Sequence, residues 1–259
     1  MPDTNAVSLD VDGLAKTYTG HGRDVEAIRD LTFKVQQGEL LCVVGPSGAG
    51  KTTLLRCIAG LLDATGGQVR LDGVPVTGPP AGMAVVFQEY GRSLFPWLTV
   101  RKNVELPIRS RPGHRQSADA ALAAVGLLDS ADAHPWQLSG GMQQRVAIAR
   151  AIAYEPSVLL MDEPFAAVDA QTRADLEDLV RALWQRLGIT MVFVTHDIDE
   201  SVYLGQRVLV LSNRPTTVLA DVPVDLPAER TQLETRSSPA FADIRAQVWT
   251  LVQRAKNSS

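Results

Sequence analysis

The segment GPSGAGKTT, residues 45–53, constrains the fold of this chain most, because it follows the apolar run LLCVV and fits G-x-x-x-x-G-K-[ST] in the required strand, loop and helix context. Its glycines let the backbone curl around phosphate groups, toward which the amides of the loop and the next helix point. Lys51 adds a mobile positive charge, and the hydroxyl of Thr52 suits Mg²⁺ between the outer phosphates. The alternative is a glycine-rich turn before a core helix, which the strand, the spacing and the hydroxyl together disfavour. The predicted phosphate-binding residues are Gly45, Pro46, Ser47, Gly48, Ala49, Gly50, Lys51, Thr52 and Thr53.

The pattern around this loop predicts an α/β fold. Two short apolar strands, SVLLMD and TMVFVTH, flank a helix whose apolar positions between residues 176 and 187 recur with helical period until Gly188 ends it. Strands that alternate with helices indicate a doubly wound core, so we expect a P-loop NTPase core with a mixed, largely parallel sheet. Alternation of β-branched and polar residues over positions 7–34, together with the Asp72-Gly73 dipeptide, predicts an N-terminal antiparallel β region.

Length and composition predict one large domain with an insertion. The chain has 259 residues, of which 45% are hydrophobic, enough for a sizeable buried core. Between residues 89 and 156 the β-branched runs thin out and Ala-rich stretches such as SADAALAAVGLL predict an inserted α-helical lobe. We assign residues 1–88 and 157–220 to the α/β core and the antiparallel β region. Residues 221–259 form a polar C-terminal tail that closes with an amphipathic helix, AFADIRAQVWTLVQRAK.

Charge and hydropathy bear on the partners of the chain. The net charge is −4 and no basic run or aromatic-interleaved patch is present, so nucleic acid is not an expected partner. The start, MPDTNAVSLD, lacks a secretory signal pattern, and no apolar run approaches the roughly 20 residues that span a bilayer. We therefore expect the chain in the cytoplasm. Cys42 and Cys57 match no disulfide or metal-site spacing and are expected to be small buried side chains.

Two adjacent carboxylates follow the apolar strand SVLLM. Neighbouring residues in a strand point in opposite directions, but at its carboxyl end, where α/β sites gather, both can reach the phosphates. We expect Asp162 to bind Mg²⁺, mainly through its water, and Glu163 to be a general base or to position water. The alternative is a solvated turn. His196 ends another predicted strand and is expected to contact the γ-phosphate, although a lone histidine is more often structural.

The stretch LSGGMQQR, residues 138–145, predicts a second site for an anion. Ser139 resembles an N-cap, and Gly140 and Gly141 expose the first amides of the helix that follows. This helix start lies in the predicted helical lobe, and nothing in the sequence brings it to the loop around Lys51 within one chain. The simplest arrangement that uses both sites is a head-to-tail, two-fold dimer in which the loop of one subunit and the serine-glycine helix start of the other enclose ATP.

Together these motifs resemble those of the ATPase subunit of an ATP-binding cassette (ABC) transporter, over essentially the whole chain. The resemblance implies that ATP is bound with Mg²⁺ in a homodimer. It also implies that Gln88 of VVFQEY reaches the metal and the catalytic water, that Tyr18 of LAKTYTG stacks on adenine, and that Asp169 of AAVDA crosses to the other subunit's site. Taken alone, a tyrosine at a strand end is usually half-buried packing.

The resemblance assigns roles to residues of these motifs. The implied catalytic residues are Lys51, Gln88, Glu163 and His196. The implied metal-binding residues are Thr52, Gln88 and Asp162. The implied nucleotide-binding residues outside the phosphate loop are Tyr18, Ser139, Gly140, Gly141, Gln143 and Asp169.

Two longer stretches, FQEYGRSLFPWLTVRKNV and VTHDIDESVYLGQRVLVLSNRP, resemble the importers of nitrate, alkanesulfonates, taurine and related small solutes. This resemblance implies two integral membrane permease subunits, a solute-binding protein that acts through them, and a location at the cytoplasmic face of the membrane. Coupling helices of the permeases would dock beside Gln88, on a groove lined by residues 94–97, namely Leu94, Phe95, Pro96 and Trp97. The alternative for each of the four is the core of the helical lobe.

Other functions remain open at this point. A soluble ABC ATPase of translation or DNA repair normally has tandem cassettes, a long coiled-coil insertion or a zinc-bearing lobe, and none is seen in this sequence. An exporter subunit is compatible with the ATPase motifs, which hardly encode direction. A P-loop switch or kinase has no use for Ser139 and its glycines.

Overall fold

The computed structural model describes residues 7–20, 24–88 and 90–257, and a six-stranded sheet lies at its centre. Its strand order is β10-β9-β3-β8-β7-β6, in which every pair is parallel except β10 with β9. Strands β3, β7 and β8 are buried along their whole length, because both faces of the sheet are covered. The bounds are β3 Leu40–Val44, β6 Met83–Val86, β7 Val158–Asp162, β8 Thr190–Val194, β9 Arg207–Leu211 and β10 Val218–Pro223.

A second, antiparallel sheet lies on one side of the first and has the order β2-β1-β4-β5. Asp72 and Gly73 connect β4 to β5 with φ angles of 47° and 80°, the positive values that a tight two-residue hairpin requires. The antiparallel region and this hairpin are thus confirmed. The bounds are β1 Val7–Tyr18, β2 Val25–Gln36, β4 Gly66–Leu71 and β5 Val74–Pro75.

Most of the helices lie on the other side of the central sheet. The segment between β6 and β7 is largely helical. Alternation along β3 separates two cores: Leu40, Cys42 and Val44 pack with helices of the helical side, whereas Leu41 and Val43 pack with the antiparallel sheet and α1. The bounds are α1 Lys51–Ile58, α2 Tyr90–Ser93, α3 Val100–Glu105, α4 His114–Ala124, α5 Gly140–Ala153, α6 Ala170–Leu187, α7 Ile198–Leu204, α8 Gln232–Arg236 and α9 Pro239–Asn257.

The segment for which a helical lobe is predicted contains α2 to α5 and three 3-10 turns. Helices α3, α4 and α5 pack together through side chains that include Val104, Leu122 and Ile148. Elsewhere α6 ends at Gly188, which adopts the left-handed conformation with φ of 63° that the sequence predicts. Cys42 and Cys57 are both buried, as expected.

The C-terminal region differs from its prediction. The expected boundary at residue 220 lies inside β10, which pairs with β9 through Val222 opposite Val208. Val222 is buried, so this polar-looking stretch belongs to the sheet. Beyond it, α9 packs its apolar side, including Phe241 and Val248, onto the helical core. No helix in the described ranges has both the length and the hydropathy needed to cross a membrane.

Candidate functional site

The carboxyl ends of three adjacent strands, β3, β8 and β7, bring most of the predicted site residues together. The phosphate loop follows β3, Asp162 ends β7 and precedes Glu163, and His196 comes shortly after β8. Loops at this edge of a parallel sheet are where α/β proteins bind ligands. We call residues 45–53 with Asp162, Glu163 and His196 the sheet-edge site.

The phosphate loop has the backbone that its glycines allow. Gly48 and Gly50 have φ of 80° and 81°, in the left-handed region that disfavours other residues. A Cβ atom added to Gly48 would meet nothing within 4 Å, so the space beside it is open to a ligand. A Cβ on Gly45 would lie 3.1 Å from Leu211 Cβ, because the loop passes close to the end of β9. The backbone thus forms a cradle of the size and polarity that suit phosphate groups.

Lys51 is held over this cradle. Its Nζ donates hydrogen bonds to the carbonyls of Gly45, at 3.1 Å, and Pro46, at 3.2 Å, and lies 3.7 Å from Glu163 Oε1. The side chain is only 6% exposed. Burial lowers the pKa of Lys51, and the nearby carboxylates of Glu163 and Asp162 oppose this shift. The ammonium group is therefore already placed where the oxygens of an anion in the cradle can replace the loop carbonyls.

A hydroxyl and a carboxylate lie side by side at the start of α1. Thr52 Oγ1 donates to Asp162 Oδ1 at 3.4 Å, and Asp162 is 3% exposed. Burial raises the pKa of Asp162, while its bond from Thr52 and the charges of Arg56 and Lys51 oppose the rise. Within the described chain no cluster of three or more His, Cys, Asp or Glu side chains could hold a metal. This sparse oxygen pair fits Mg²⁺, which keeps several waters and completes its shell with phosphate oxygens.

Glu163 has a backbone conformation that the sequence does not reveal. Its φ is 44°, a left-handed value that is uncommon for a residue other than glycine, and its N–H donates to Val194 O at 2.9 Å. This turn after β7 lets two consecutive carboxylates face the same edge, one toward Thr52 and the other toward Lys51 and His196. Such backbone strain costs about 1–3 kcal/mol and is found preferentially at functional sites.

His196 is paired with Glu163. Its Nδ1 lies 3.0 Å from Glu163 Oε2, so the glutamate has Lys51 on one oxygen and the imidazole on the other. The histidine side chain is largely exposed. The imidazole and the carboxylate thus meet at the open side of the site, where a phosphate and a water molecule can both reach them.

Tyr18 ends β1 beside the first turn of α1. Its hydroxyl lies 3.1 Å from Thr53 Oγ1, and its ring is 42% exposed. Lys16 Nζ lies 5.5 Å from the ring centroid. The ring therefore offers a free face at the margin of the phosphate loop, which suits stacking of a flat base.

The first turn of α5 carries the second predicted anion site and is separate from the sheet-edge site. Ser139 is its N-cap and accepts a hydrogen bond from Met142 N at 3.3 Å. We call Ser139, Gly140 and Gly141 the signature turn. Across the described residues no hydrogen bond or ion pair joins the signature turn to the sheet-edge site. Ser139 and Gly140 are exposed, whereas Gly141 is buried.

Gly141 is buried because α6 begins against it. A Cβ atom on Gly141 would lie 2.3 Å from Thr172 Cγ2, so only glycine allows this approach. Thr172 in turn donates from its N, at 2.9 Å, and from Oγ1, at 2.7 Å, to the carboxylate of Asp169, the N-cap of α6. These bonds lower the pKa of Asp169. Asp169 and the signature turn are therefore neighbours within one chain.

Gln143 and Gln88 belong neither to the sheet-edge site nor to the signature turn. Gln143 Nε2 donates to the carbonyls of Pro135, at 3.0 Å, and Leu138, at 3.2 Å, so the side chain holds the turn that precedes α5. The contact of Gln143 with nucleotide stays a prediction beside these bonds. Gln88 is exposed in the loop after β6, the strand next to β7.

The four predicted docking residues divide into two kinds. Leu94 is buried in the core of the helical segment, as the alternative interpretation has it. Pro96 and Trp97 are exposed, Trp97 by 71%, and the Trp97 ring packs edge-on against Phe95 at 5.4 Å between centroids. Leu94 thus belongs to the core, whereas half-buried Phe95 and exposed Pro96 and Trp97 stay the predicted groove lining.

Sequence reasoning missed the residues that support His196. Glu200 is only 4% exposed and accepts a 2.5 Å hydrogen bond from Thr195 Oγ1. Burial raises the pKa of Glu200 to about 7. Asp197 caps α7 by accepting from the N–H groups of Asp199, at 2.8 Å, and Glu200, at 3.2 Å. An aspartate followed three residues later by a glutamate resembles a capping box, a signal that was present in THDIDE.

Fold and site together define a P-loop ATPase with a nucleotide cradle at the edge of a largely parallel sheet. The chain belongs to the ABC transporter family, with which residues 28–166 match. It is 50% identical to an ATP-binding protein of Brucella abortus over 87% of each chain. The fold and the family predicted from the sequence are confirmed.

Further relatives carry more specific names. The chain is 45% identical to a nitrate import ATP-binding protein of Synechocystis sp., over 85% of this chain and 84% of the relative. It is 41% identical to an aliphatic sulfonates import ATP-binding protein of Bacillus licheniformis, over 93% of each. A solved dimeric ATP-binding cassette in a post-hydrolysis state, bound to ADP and Pi, is similar with a TM-score of 0.75 and 31% identity, covering 85% of this chain and all of that one.

Proposed function

We propose that this chain is the ATP-hydrolysing subunit of an importer for a small anionic or zwitterionic solute such as nitrate, an alkanesulfonate or taurine. The observation that carries the catalytic part is the placement of Glu163 between Lys51 and His196 at the sheet edge. The names of the nitrate and sulfonate import relatives support the solute class. ATP hydrolysis in this chain thus drives transport through separate membrane subunits.

Hydrolysis at the sheet-edge site uses this chain's own groups in distinct roles. Lys51 exchanges the carbonyls of Gly45 and Pro46 for phosphate oxygens. Glu163 takes the proton of the attacking water, and His196 orients that carboxylate and reaches the γ-phosphate. Thr52 and Asp162 are the residues that would hold Mg²⁺. Mg²⁺ bound there would supply positive charge to the outer phosphates.

The second half of each site comes from another copy of the chain. The signature turn lies at the positive end of α5, and Ser139 and Gly140 are exposed there, so an anion held by another chain can approach the first N–H groups of the helix. In a two-fold dimer each signature turn covers the nucleotide on the partner's sheet-edge site, with Asp169 beside it. The dimeric cassette among the similar structures supports this assembly.

Two permease subunits dock on the surface around Pro96 and Trp97, near Gln88, and place the ATPase at the cytoplasmic face of the membrane. An exposed tryptophan beside an exposed proline is the type of surface that a partner covers. Closure and opening of the ATPase dimer would move the permeases, and a solute-binding protein would deliver the solute on the other side. We expect no nucleic-acid partner, because the chain has a net charge of −4.

To test this proposal, the gene for the chain is deleted in its host. Growth is then measured on nitrate as sole nitrogen source and on an alkanesulfonate or taurine as sole sulfur source. We expect growth to fail on one of these, to return with the wild-type chain, and to stay absent with Glu163→Gln. Membranes extracted in mild detergent should yield an integral membrane protein with the tagged chain in equal stoichiometry. Unimpaired growth on all three, or co-purification of ribosomes instead, would contradict the proposal.

A further inference from the structure

The helix that follows His196 is short and is bound at both ends by other parts of the chain. Helix α7 has seven residues, and its N-cap, Asp197, directly follows the histidine. A rigid body of this size moves as a unit, so contacts at its far end determine where His196 lies. The contacts at that far end come from α6 and from the C-terminal segment, and the function described above gives the C-terminal segment no role.

The C-terminal end of α7 is capped by two guanidinium groups. Arg230 Nη1 donates to the carbonyls of Val202, at 3.1 Å, Tyr203, at 2.8 Å, and Gly205, at 3.0 Å. Arg181 Nη1 donates to Leu204 O at 2.8 Å. The last carbonyls of a helix have no partner within the helix and carry partial negative charge, so cations there stabilise it.

These arginines remain charged although they are poorly solvated. Burial, together with the nearby positive charge of Arg181, lowers the pKa of Arg230 to about 10. Arg181 is only 4% exposed, and burial lowers its pKa too. Two like charges lie close together here because the carbonyls of α7 bind both. Removal of Arg230 therefore leaves buried acceptors without a donor.

The segment that carries Arg230 is fastened to α6. Ala228 O accepts from Gln185 Nε2 at 2.8 Å and from Arg181 Nη2 at 2.6 Å. Farther along, Gln232 Nε2 donates to Asp178 Oδ1 at 2.9 Å, and Arg236 Nη2 to Glu177 Oε2 at 2.6 Å. The segment on both sides of Arg230 is thus bound to α6 by hydrogen bonds.

The other end of α7 is also held from outside. Arg245 of α9 forms an ion pair with Asp199 in the first turn of α7. Arg173 of α6 lies 3.3 Å from Asp197 and 3.6 Å from Glu200. The C-terminal segment therefore contacts the helix at its first turn and at its last carbonyls.

We propose that residues 227–245 clamp α7 at both ends and that Arg230 is a positioning residue, which holds His196 against Glu163. The proposal rests on the proposed function, since it takes Glu163 as the base and His196 as its partner. A shift of about 1 Å at a catalytic group can lower the rate by about a hundredfold. Partial loosening of one cap should therefore lower kcat by about tenfold.

The test measures steady-state ATPase activity of Arg230→Gln in the wild-type and the His196→Ala backgrounds. We expect Arg230→Gln to lower kcat about tenfold, with the KM for ATP within about twofold, because the cradle is untouched. In the His196→Ala background the same change should have no further effect, since residues that act through one another are not additive. Arg230→Lys, which keeps one donor group, should recover part of the loss. Arg186→Gln, at an exposed arginine of α6, is the matched control and should match the wild type.

Histidine-selective NMR gives a readout that does not depend on activity. Arg230→Gln should shift the ring resonances of His196 and leave those of His114 unchanged, provided that thermal unfolding shows the variant to be folded. If Arg230→Gln does not fold, Arg230→Lys serves for both measurements.

Two results would contradict the proposed clamp. In the first, Arg230→Gln has unchanged His196 ring resonances and a normal kcat. In the second, it lowers kcat equally in the wild-type and His196→Ala backgrounds. A different result would contradict the proposed function. Normal turnover in Glu163→Gln, or in His196→Ala alone, contradicts the catalytic assignment whatever Arg230 does.

Discussion

The sheet-edge site and the signature turn both suit an anion, but they are built in opposite ways. At the sheet edge Lys51 and Asp162 are buried, and Glu163 contacts both Lys51 and His196. In the signature turn Ser139 is exposed, and within the described part of the chain its side chain bonds to Met142 N of its own helix start. The first arrangement is organised within one chain. The second is an exposed helix start, which stabilises an anion strongly when another surface encloses the anion.

Solvent explains why the difference matters. An exposed helix start stabilises a nearby anion by only about 0.3–1 kcal/mol, because water and salt screen it. The same dipole acts more strongly once a facing surface excludes water. The comparison therefore predicts that the sheet-edge site binds nucleotide in a single chain and that the signature turn contributes after two chains meet.

The largest expected effect is at Glu163. Glu163→Gln keeps the size of the side chain but cannot accept a proton from water, so kcat should fall by at least about a hundredfold while ATP binding persists. Steady-state hydrolysis and nucleotide binding by calorimetry measure the two properties. Glu105→Gln, on α3 and away from the sheet edge, is the matched control and should hydrolyse normally. Near-normal turnover in Glu163→Gln would mean that the base lies elsewhere.

The next effect separates the two regions directly. Ser139→Arg places a long side chain on the signature turn, so hydrolysis should fall at least tenfold while a single chain binds ATP with unchanged affinity. Ser139→Ala removes only the cap, which costs about 0.5–2 kcal/mol of stability, and should leave more activity. Weakened ATP binding by monomeric Ser139→Arg would show that the signature turn already belongs to the site within one chain.

A third prediction concerns the packing of the signature turn on α6. Gly141→Ala forces a Cβ atom to within 2.3 Å of Thr172 Cγ2, so it should lower the free energy of unfolding by about 1–3 kcal/mol. Thr172→Ser removes that methyl group but keeps the hydroxyl that Asp169 accepts from. The double variant should thus recover most of the stability in urea unfolding. If the two losses simply add, the close approach is not what requires glycine.

The smallest expected effect is the pH dependence of stability at Glu200. The folded chain raises the pKa of this carboxyl from 4.5 to about 7, so the folded state holds the proton more tightly than the unfolded chain does. This contribution to stability is fully present below pH 4.5 and is lost as pH rises through 7. In Glu200→Gln the free energy of unfolding should therefore decline less between pH 5 and pH 8 than in the wild type. Identical declines would show that Glu200 does not titrate there.

Local patterns predicted much of the fold and the members of the site. The strands β3, β7 and β8, the Asp72-Gly73 hairpin and the end of α6 at Gly188 all follow from short-range signals. The same holds for the phosphate loop and for the two carboxylates after β7. These features depend on neighbouring residues, so sequence order is enough to find them.

Other features depend on contacts between distant parts of the chain and could not be predicted. Strand β10 was placed partly in the tail because its identity comes from pairing with β9. The left-handed backbone of Glu163 has no glycine to mark it. The contacts of Arg230 with the end of α7 join segments whose proximity only the fold establishes.

One measurement tests directly whether the signature turn serves a second copy. Lys51→Ala damages the sheet-edge site and Ser139→Arg the signature turn, so each variant alone should form dimers with two damaged sites. In a mixed dimer, the trans arrangement places both changes in one site and leaves the other intact. Mixing the two inactive variants in equal amounts should therefore restore ATPase activity, up to about a quarter of the wild-type value if the sites act independently. A mixture no more active than the two variants measured separately would contradict the account.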